Sequence, residues 1–227
     1  MNKKRFKIVP EMEGSMARWY ARTRGSDGNI AIFPRQASEL TEGLATCAEI
    51  LGIAPGPGYL AIEMGRLRRF HVTGLDISRT FVDIATQNAM DAGVSVDFRH
   101  GDAASPPFAD ESFDLVVCQA AFKNFEEPSA VLDQIHRVLK KGGTAVIQDL
   151  SREASKEDIA EEVRRQALKG VSAFFTRWVL STMLLRRAYA PSQLERLAAD
   201  SAFGTCDIRK DGIGVEVRLK KSIVAAA

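Results

Sequence analysis

The sequence predicts an α/β protein with a doubly wound, mostly parallel sheet that finishes in an antiparallel hairpin. Three observations carry that prediction. Apolar strand-like runs alternate with helix-like segments along most of the 227 residues, the pattern that puts helices on both faces of a parallel sheet. The run Ile50-Leu51-Gly52-Ile53-Ala54-Pro55-Gly56-Pro57-Gly58-Tyr59-Leu60-Ala61 passes from a buried strand through a glycine loop directly into a helix. Near the C-terminus two β-like runs are joined by Asp211-Gly212, a hairpin-turn dipeptide.

The elements follow in order. A helix is predicted over 35–44, then a first strand over 47–54 and its helix over 58–68. Phe70-His71-Val72-Thr73-Gly74-Leu75-Asp76 reads as a second strand ending in an acid, and 78–92 as the next helix. Val94-Ser95-Val96-Asp97-Phe98 alternates at period two, as a strand with one wetter face does. The nearly continuous apolar run 112–119 reads as a central parallel strand. Pro128 opens a helix to Lys140, Lys141-Gly142-Gly143 stops it, and 144–149 is another buried strand. A long helical stretch covers 155–189, and Ser192-Gln193-Leu194-Glu195 is a capping-box pattern for a helix to 201. Strands over 206–210 and 212–220 complete the sheet. Ligands of such sheets bind beyond the carboxyl ends of the strands, where strand order reverses.

Composition sets the outer limits. A chain 45% apolar and 26% charged can fill the core of one large domain. With 31 basic and 29 acidic side chains the formal net charge is +2, which gives no case for a nucleic-acid partner. Local basic clusters such as Asn2-Lys3-Lys4-Arg5 read as solvated faces. Cys47, Cys118 and Cys206 are odd in number and far apart, so they are expected to be reduced core thiols rather than disulfides or zinc ligands. No apolar run follows the basic N-terminus, and none reaches the roughly 20 residues of a membrane span, so a soluble cytoplasmic protein is expected.

Five motifs in series carry a family resemblance. Gly56-Pro57-Gly58, Leu75-Asp76, Gly101-Asp102-Ala103, Asp114-Leu115-Val116-Val117 and Arg137-Val138-Leu139-Lys140-Lys141-Gly142-Gly143 occur in the order and spacing that resemble class I S-adenosylmethionine-dependent methyltransferases. The resemblance covers about residues 35–221 and implies a Rossmann-like, doubly wound seven-stranded sheet with an antiparallel C-terminal hairpin strand. It implies one methyltransferase domain over 35–221, an N-terminal lid or cap over 1–34, and a helical lid insert over 152–190. The cofactor would be S-adenosyl-L-methionine, with Gly52, Ala54, Pro55, Gly56 and Gly58 along its methionine end. Asp76, 18 residues beyond Gly58, would accept both ribose hydroxyls. Ile77 would lie on the adenine face, Asp102 and the Ala103 backbone would read the adenine edge, and Gln119 would face the sulfonium centre and the substrate. Against these roles stand plainer readings: Asp76 as a cap for the following helix and Asp102 as a turn former.

Gly56-x-Gly58-x-x-Ala61 followed by Asp76 also satisfies a dinucleotide fingerprint. The long segment ahead of the first strand and the terminal hairpin argue against an NAD-dependent dehydrogenase. A noncatalytic binding protein of the same fold, acting through a partner, is the other alternative. Metal-assisted chemistry is disfavoured because the fourth strand ends in Gln119 rather than an acid, and Asp149 alone would not hold magnesium. His71, His100 and His136 are poorly placed for catalysis, so no base is assigned.

Lys123-Asn124 is similar to the Arg-Asn of ubiquinone and menaquinone C-methyltransferases. Lys123 could stabilise an anionic oxygen and Asn124 orient a substrate carbonyl or hydroxyl; a loop lysine beside a capping asparagine is the equal alternative. In the insert, Val171, Phe174, Phe175, Trp178 and Val179 form one apolar helical face. That face suits a core helix, a lid over a substrate pocket lined by Phe174 and Trp178, or peripheral membrane contact. Tyr20 is a further candidate for cofactor or substrate if its helix covers the glycine loop. The expected function is methyl transfer to a small, partly apolar molecule, mainly by positioning for in-line attack. Gly52 departs from the family, which usually carries Glu or Asp there, and Ala54 replaces the first glycine.

Overall fold

The computed structural model describes residues 12–25, 30–165 and 185–223. In chain order the elements are α1 (Gly14–Arg24), α2 (Phe33–Leu40), β1 (Ala48–Ile53), α3 (Tyr59–Arg66), β2 (Phe70–Asp76), α4 (Arg79–Asp91) and β3 (Asp97–His100). There follow β4 (Phe113–Gln119), a 3₁₀ turn (Phe122–Asn124), α5 (Pro128–Val138), β5 (Leu139–Leu150) and α6 (Lys156–Arg165). A single turn at Leu185–Arg187, α7 (Pro191–Ala199), β6 (Asp207–Asp211) and β7 (Gly214–Lys220) complete the fold.

All seven strands form one sheet in the order β3-β2-β1-β4-β5-β7-β6. The strands from β3 to β5 pair in parallel, whereas β7 runs antiparallel to both β5 and β6. The predicted seven-stranded, doubly wound architecture is therefore the observed one. Strand order reverses between β1 and β4, so the carboxyl ends of these two strands bound the crevice in which this fold class takes ligands.

Alternation along the central strands builds two cores. Ile50, Val72, Leu115, Val117 and Val146 pack with α2 and α3 through Phe33, Ala37, Leu40, Leu60, Ala61 and Met64. Their sequence neighbours Leu51, Val116, Cys118, Ala145 and Ile147 face the other way, against Val131, Leu132, Ile135 and Val138 of α5 and Leu194 and Ala198 of α7. A side-chain period of two in the strands and helical spacing in α5 thus supply both layers.

Several boundaries differ from the sequence prediction, each for a local reason. The predicted strand over 94–98 lies instead at Asp97–His100. Parallel pairing with the last residues of β2 begins at Thr73↔Asp97, while Val94 and Val96 crowd the bare Cα of Gly65 in α3. The predicted helix to Lys140 ends at Val138, because Leu139 is fully buried and extended and starts β5. Gly142-Gly143 is then an irregularity within β5, where the register passes from Phe113↔Leu139 to Leu115↔Thr144. A Cβ on Gly143 would come within 2.9 Å of the Lys140 carbonyl oxygen.

The predicted capping box at Ser192 is also displaced. α7 starts at Pro191, and the Ala190 N–H donates to Gln193 Oε1 at 3.0 Å. In the hairpin, Asp211 pairs with Gly214, so Gly212 and Ile213 are the loop residues, with Gly212 at φ 55°. The predicted 35–44 helix is observed at Phe33–Leu40, with Pro34 in its first turn. The 34/35 boundary proposed for the cap accordingly falls inside α2. Ser151 and Tyr189, near the two ends of the segment expected to be an insert, form a parallel bridge. Its core, including Phe174 and Trp178, lies outside the described residues.

Candidate functional site

The glycine loop occupies the crevice at the strand-order reversal. β1 ends at Ile53, and Ala54, at φ 49°, donates its N–H to the Leu75 carbonyl at 2.8 Å. This backbone conformation favours glycine, so alanine here stores roughly 1–2 kcal/mol of strain. Gly56, at φ 56°, has open space where a Cβ would project, which is the clearance a ligand against the main chain requires. Gly58 differs: at φ 83° its Cβ would lie 2.7 Å from Phe98 Cζ and 2.9 Å from Ala85 Cβ. Beyond the ligand clearance expected of it, Gly58 is required by the chain's own packing at the start of α3. Pro57 is held from the other side, its carbonyl accepting from Asn88 Nδ2 at 2.9 Å.

Asp76 ends β2 beside this loop and is only 5% exposed. Its Oδ2 accepts the Gly56 N–H at 3.0 Å and its Oδ1 accepts the Ser78 N–H at 2.9 Å. The plainer role expected of it, capping α4, falls instead to Ser78, whose Oγ accepts the Phe81 N–H at 3.1 Å; Asp76 holds the backbone of that cap residue and of the loop, and each of its oxygens retains a further lone pair. Burial pushes the Asp76 carboxyl above the ordinary carboxylate range, against the two N–H bonds that favour its charge. No Lys or Arg among the described residues forms an ion pair with it. The next side chain, Ile77, is 43% exposed, an apolar surface beside the carboxylate. Its carbonyl meets His100 Nε2 at 3.1 Å. Asp102 is exposed and accepts the Ala104 N–H at 2.9 Å, the turn-forming geometry, while Ala103 joins the core.

Helix α1 lies across this region. Glu13, just before it, accepts the Arg79 N–H at 2.8 Å, the Thr80 N–H at 3.3 Å and the Thr80 hydroxyl. Ser78 Oγ donates to the Met12 carbonyl at 2.8 Å. At the other end of the helix, the Tyr59 hydroxyl donates to the Ala21 carbonyl at 3.0 Å. The helix therefore bridges the first residues of α4 and of α3, the two elements that follow Asp76 and Gly58. Tyr20 packs edge-on against Phe81 with ring centroids 5.9 Å apart, the aromatic-anchor arrangement. Sequence reasoning missed Glu13; an acid ahead of one helix that caps another leaves no local signal.

On the opposite side of the crevice, Gln119 ends β4 and donates through Nε2 to Gln148 Oε1 at 3.0 Å and Gln36 Oε1 at 3.1 Å. Ala120, at φ 58°, then turns the chain. Lys123 does not reach into the crevice as a free cation: its Nζ pairs with Asp149 Oδ1 at 2.8 Å and donates to the Ala120 carbonyl at 2.6 Å. Asn124 is exposed at the end of the 3₁₀ turn. Among the described residues no group of three His, Cys, Asp or Glu side chains could hold a metal ion. His136 is stacked edge-on against Phe203, and burial pushes its imidazole below the ordinary value. Among the described residues no helix is long and apolar enough to cross a membrane.

Comparison with known proteins agrees with this geometry. Residues 51–147 match a family model described as a methyltransferase domain. A demethylmenaquinone methyltransferase of Deinococcus radiodurans is 36% identical over 107 residues, 47% of this chain and 44% of that protein. One from Chlorobaculum tepidum is 30% identical over 157 residues, 68% of this chain and 61% of the relative. The chain thus spans about two-fifths to three-fifths of the length of the curated relatives it matches. A solved structure from Methanococcus maripaludis, described as a candidate S-adenosyl-L-methionine-dependent methyltransferase, superposes with a TM-score of 0.76 at 18% identity, covering 100% of both chains. That likeness shows the fold.

Proposed function

We infer that this chain, whose residues 51–147 match a methyltransferase-domain family, is a class I S-adenosylmethionine-dependent methyltransferase that uses the loop between β1 and α3 to bind that cofactor and methylates a small, partly apolar acceptor. The observation that carries this reading is Asp76: a buried carboxylate at the end of β2, braced by the glycine loop, with no cationic partner among the described residues and lone pairs to spare. Such a group suits two ribose hydroxyls. Gly56 gives the backbone clearance and Ile77 the apolar surface for a purine. Asp102 and the Ala103 backbone flank the same strand ends, and α1, with Tyr20, would close over them.

The cofactor supplies a sulfonium-bound methyl group, which an in-line nucleophile can take directly. The protein's contribution is then to hold donor and acceptor in line and exclude water, a large effect that needs no metal ligand set. The acceptor class we propose is a phenol or quinol, because the curated relatives are named for demethylmenaquinone. The Lys123–Asp149 pair would shape the acceptor side by fixing the turn after β4, and Asn124, Phe174 and Trp178 remain its proposed contacts.

Isothermal titration with S-adenosylmethionine and S-adenosylhomocysteine tests the reading; no binding of either at millimolar concentration overturns it. Asp76→Asn, which keeps one acceptor oxygen and loses the charge, is expected to weaken both ligands about 100-fold, as two lost charge-assisted hydrogen bonds would. An unchanged affinity would remove Asp76 from the site. Gly52 lacks the family's carboxylate, and its Cβ position is uncrowded, 3.7 Å from Pro55 Cβ and 3.8 Å from the Thr73 carbonyl oxygen. Gly52→Glu is therefore expected to bind S-adenosylmethionine several-fold more tightly, and equal affinities of the two forms would refute a weakened loop.

A further inference from the structure

Three polar side chains stand in register across the carboxyl end of the sheet. Gln119 of β4 lies opposite Gln148 of β5, and Gln148 lies opposite Glu216 of β7. Gln119 and Gln148 each lie two residues beyond an apolar position, Val117 and Val146, that packs with α2 and α3. Glu216 is 5% exposed, and a buried acid in the middle of a strand calls for a physical reason. Its Oε2 accepts Gln148 Nε2 at 2.9 Å, and its Oε1 accepts Arg218 Nε at 2.9 Å, with Arg209 3.5 Å away. Burial pushes this carboxyl up, but the bonds from Gln148 and Arg218 and the charges of Arg218 and Arg209 outweigh it and hold it below the ordinary value.

The chain of bonds has a direction. An ionised carboxylate can only accept, so it draws the amide nitrogen of Gln148 towards itself and leaves Gln148 Oε1 to accept. Gln148 Oε1 takes Gln119 Nε2, whose second hydrogen goes to Gln36 Oε1. Both donors of Gln119 are thereby committed, and its Oε1 takes no hydrogen bond from any described residue.

We propose that Glu216 is a positioning residue that acts through Gln148 to orient the Gln119 amide, so that the crevice beside the glycine loop presents a fixed hydrogen-bond acceptor to an N–H donor at the amino-acid end of the cofactor. Gln119 ends the strand that pairs with β1, with Ile53 opposite Cys118, which sets it across the crevice from Ala54–Gly58. A neutral residue at 216 could donate instead, and the whole relay would invert to offer Gln119 Nε2, a donor, at the same place. The inference rests on the cofactor reading above and adds to it a charge on an antiparallel strand, two ladder positions away, that decides which end of an amide the ligand meets.

The test is calorimetric binding of S-adenosylhomocysteine, which carries the ammonium group, beside 5′-methylthioadenosine, which lacks it. Glu216→Gln should weaken S-adenosylhomocysteine about tenfold, as the loss of a buried acceptor predicts, and change methylthioadenosine less than twofold. The double variant Gln119→Glu/Glu216→Gln, in which the inverted relay donates to a carboxylate that still offers an acceptor, should return to within about threefold of the parent. Gln148→Met, which cuts the relay while leaving Glu216 paired with Arg218, should repeat the tenfold loss and serves if Glu216→Gln does not fold. Equal weakening of both ligands, or no change with S-adenosylhomocysteine, overturns the proposal. A parent protein that binds neither ligand fails at the cofactor reading itself, whereas one that binds both and loses both only with Asp76→Asn fails at the relay alone.

Discussion

Two buried acids near the carboxyl ends of β2 and β5 have opposite surroundings. Asp149 of β5, with a side chain 7% exposed, is neutralised by Lys123, whose side chain is 8% exposed, and accepts the N–H groups of Lys123 and Leu150. Asp76 of β2 receives only two backbone N–H groups and no Lys or Arg among the described residues. A paired acid has spent its charge on the protein; an acid bonded only by backbone N–H groups keeps spare lone pairs for something that arrives later. The acid near the end of β5 is thus closed in a structural joint, and the acid at the end of β2 is left open on the side where the cofactor is proposed to bind.

Lys123→Ala breaks the closed side most directly. It leaves Asp149 buried and unpaired, and is expected to destabilise the protein by about 3–5 kcal/mol in urea unfolding, the usual result of removing one partner of a buried pair. A midpoint unchanged from the parent would return Lys123 to the pool of free substrate-side cations and dissolve the contrast.

The glycines sharpen the same contrast within the loop. Gly58→Ala must displace Phe98 or Ala85 in addition to holding a left-handed backbone, and should cost about 2–4 kcal/mol of stability. Gly56→Ala meets no atom within 4 Å, so it should cost only about 1–2 kcal/mol of backbone strain while reducing cofactor affinity by more than its stability loss. The reverse ranking, measured by parallel unfolding and binding, would mean that the open space at Gly56 is not the ligand's.

Titration gives the smallest effects and the clearest signs. Asp76 has a raised carboxyl pKa, so the folded protein holds its proton more tightly than the unfolded chain. Its contribution to stability is therefore present at low pH and is lost as pH rises through the folded value. Cofactor affinity should run the other way, increasing as the carboxyl ionises, and a binding profile that stays flat as pH rises from the ordinary carboxylate range would count against an ionised ribose acceptor. Asp158, in the reciprocal cap with Ser155 that opens α6, behaves oppositely. Its pKa is lowered to about 2, chiefly by the hydrogen bond from Lys210. That anchor contributes above the unfolded-state value and fades as pH falls towards about 2, which carboxyl chemical shifts would register.

Much of this was legible in the chain. The strand-loop-helix passage at Ile50–Ala61, the acid ending β2 and the closing hairpin identify the sheet and the crevice at its strand-order reversal, because each depends on local residue types and spacing. Strand edges were less legible. The start of β3 is set by its partner β2, and the first residues of β5 are extended because Leu139 is drawn into the core rather than because of any strand pattern in Lys140-Lys141-Gly142-Gly143.

The sequence by itself determined the order of the elements, the alternation that gives the sheet two buried faces, and the placing of Gly56 and Asp76 at the ends of adjacent strands. Those features follow from interactions between residues close along the chain, where periodicity and backbone preference act. Only the tertiary structure decided that Gly58 answers to Phe98, that Lys123 is consumed by Asp149, that Glu13 caps α4, and that Glu216 stands behind Gln119. Each of those pairings joins residues 26 to 97 positions apart, and the energy of burying a charge or a methyl group is fixed by what lies beside it in space.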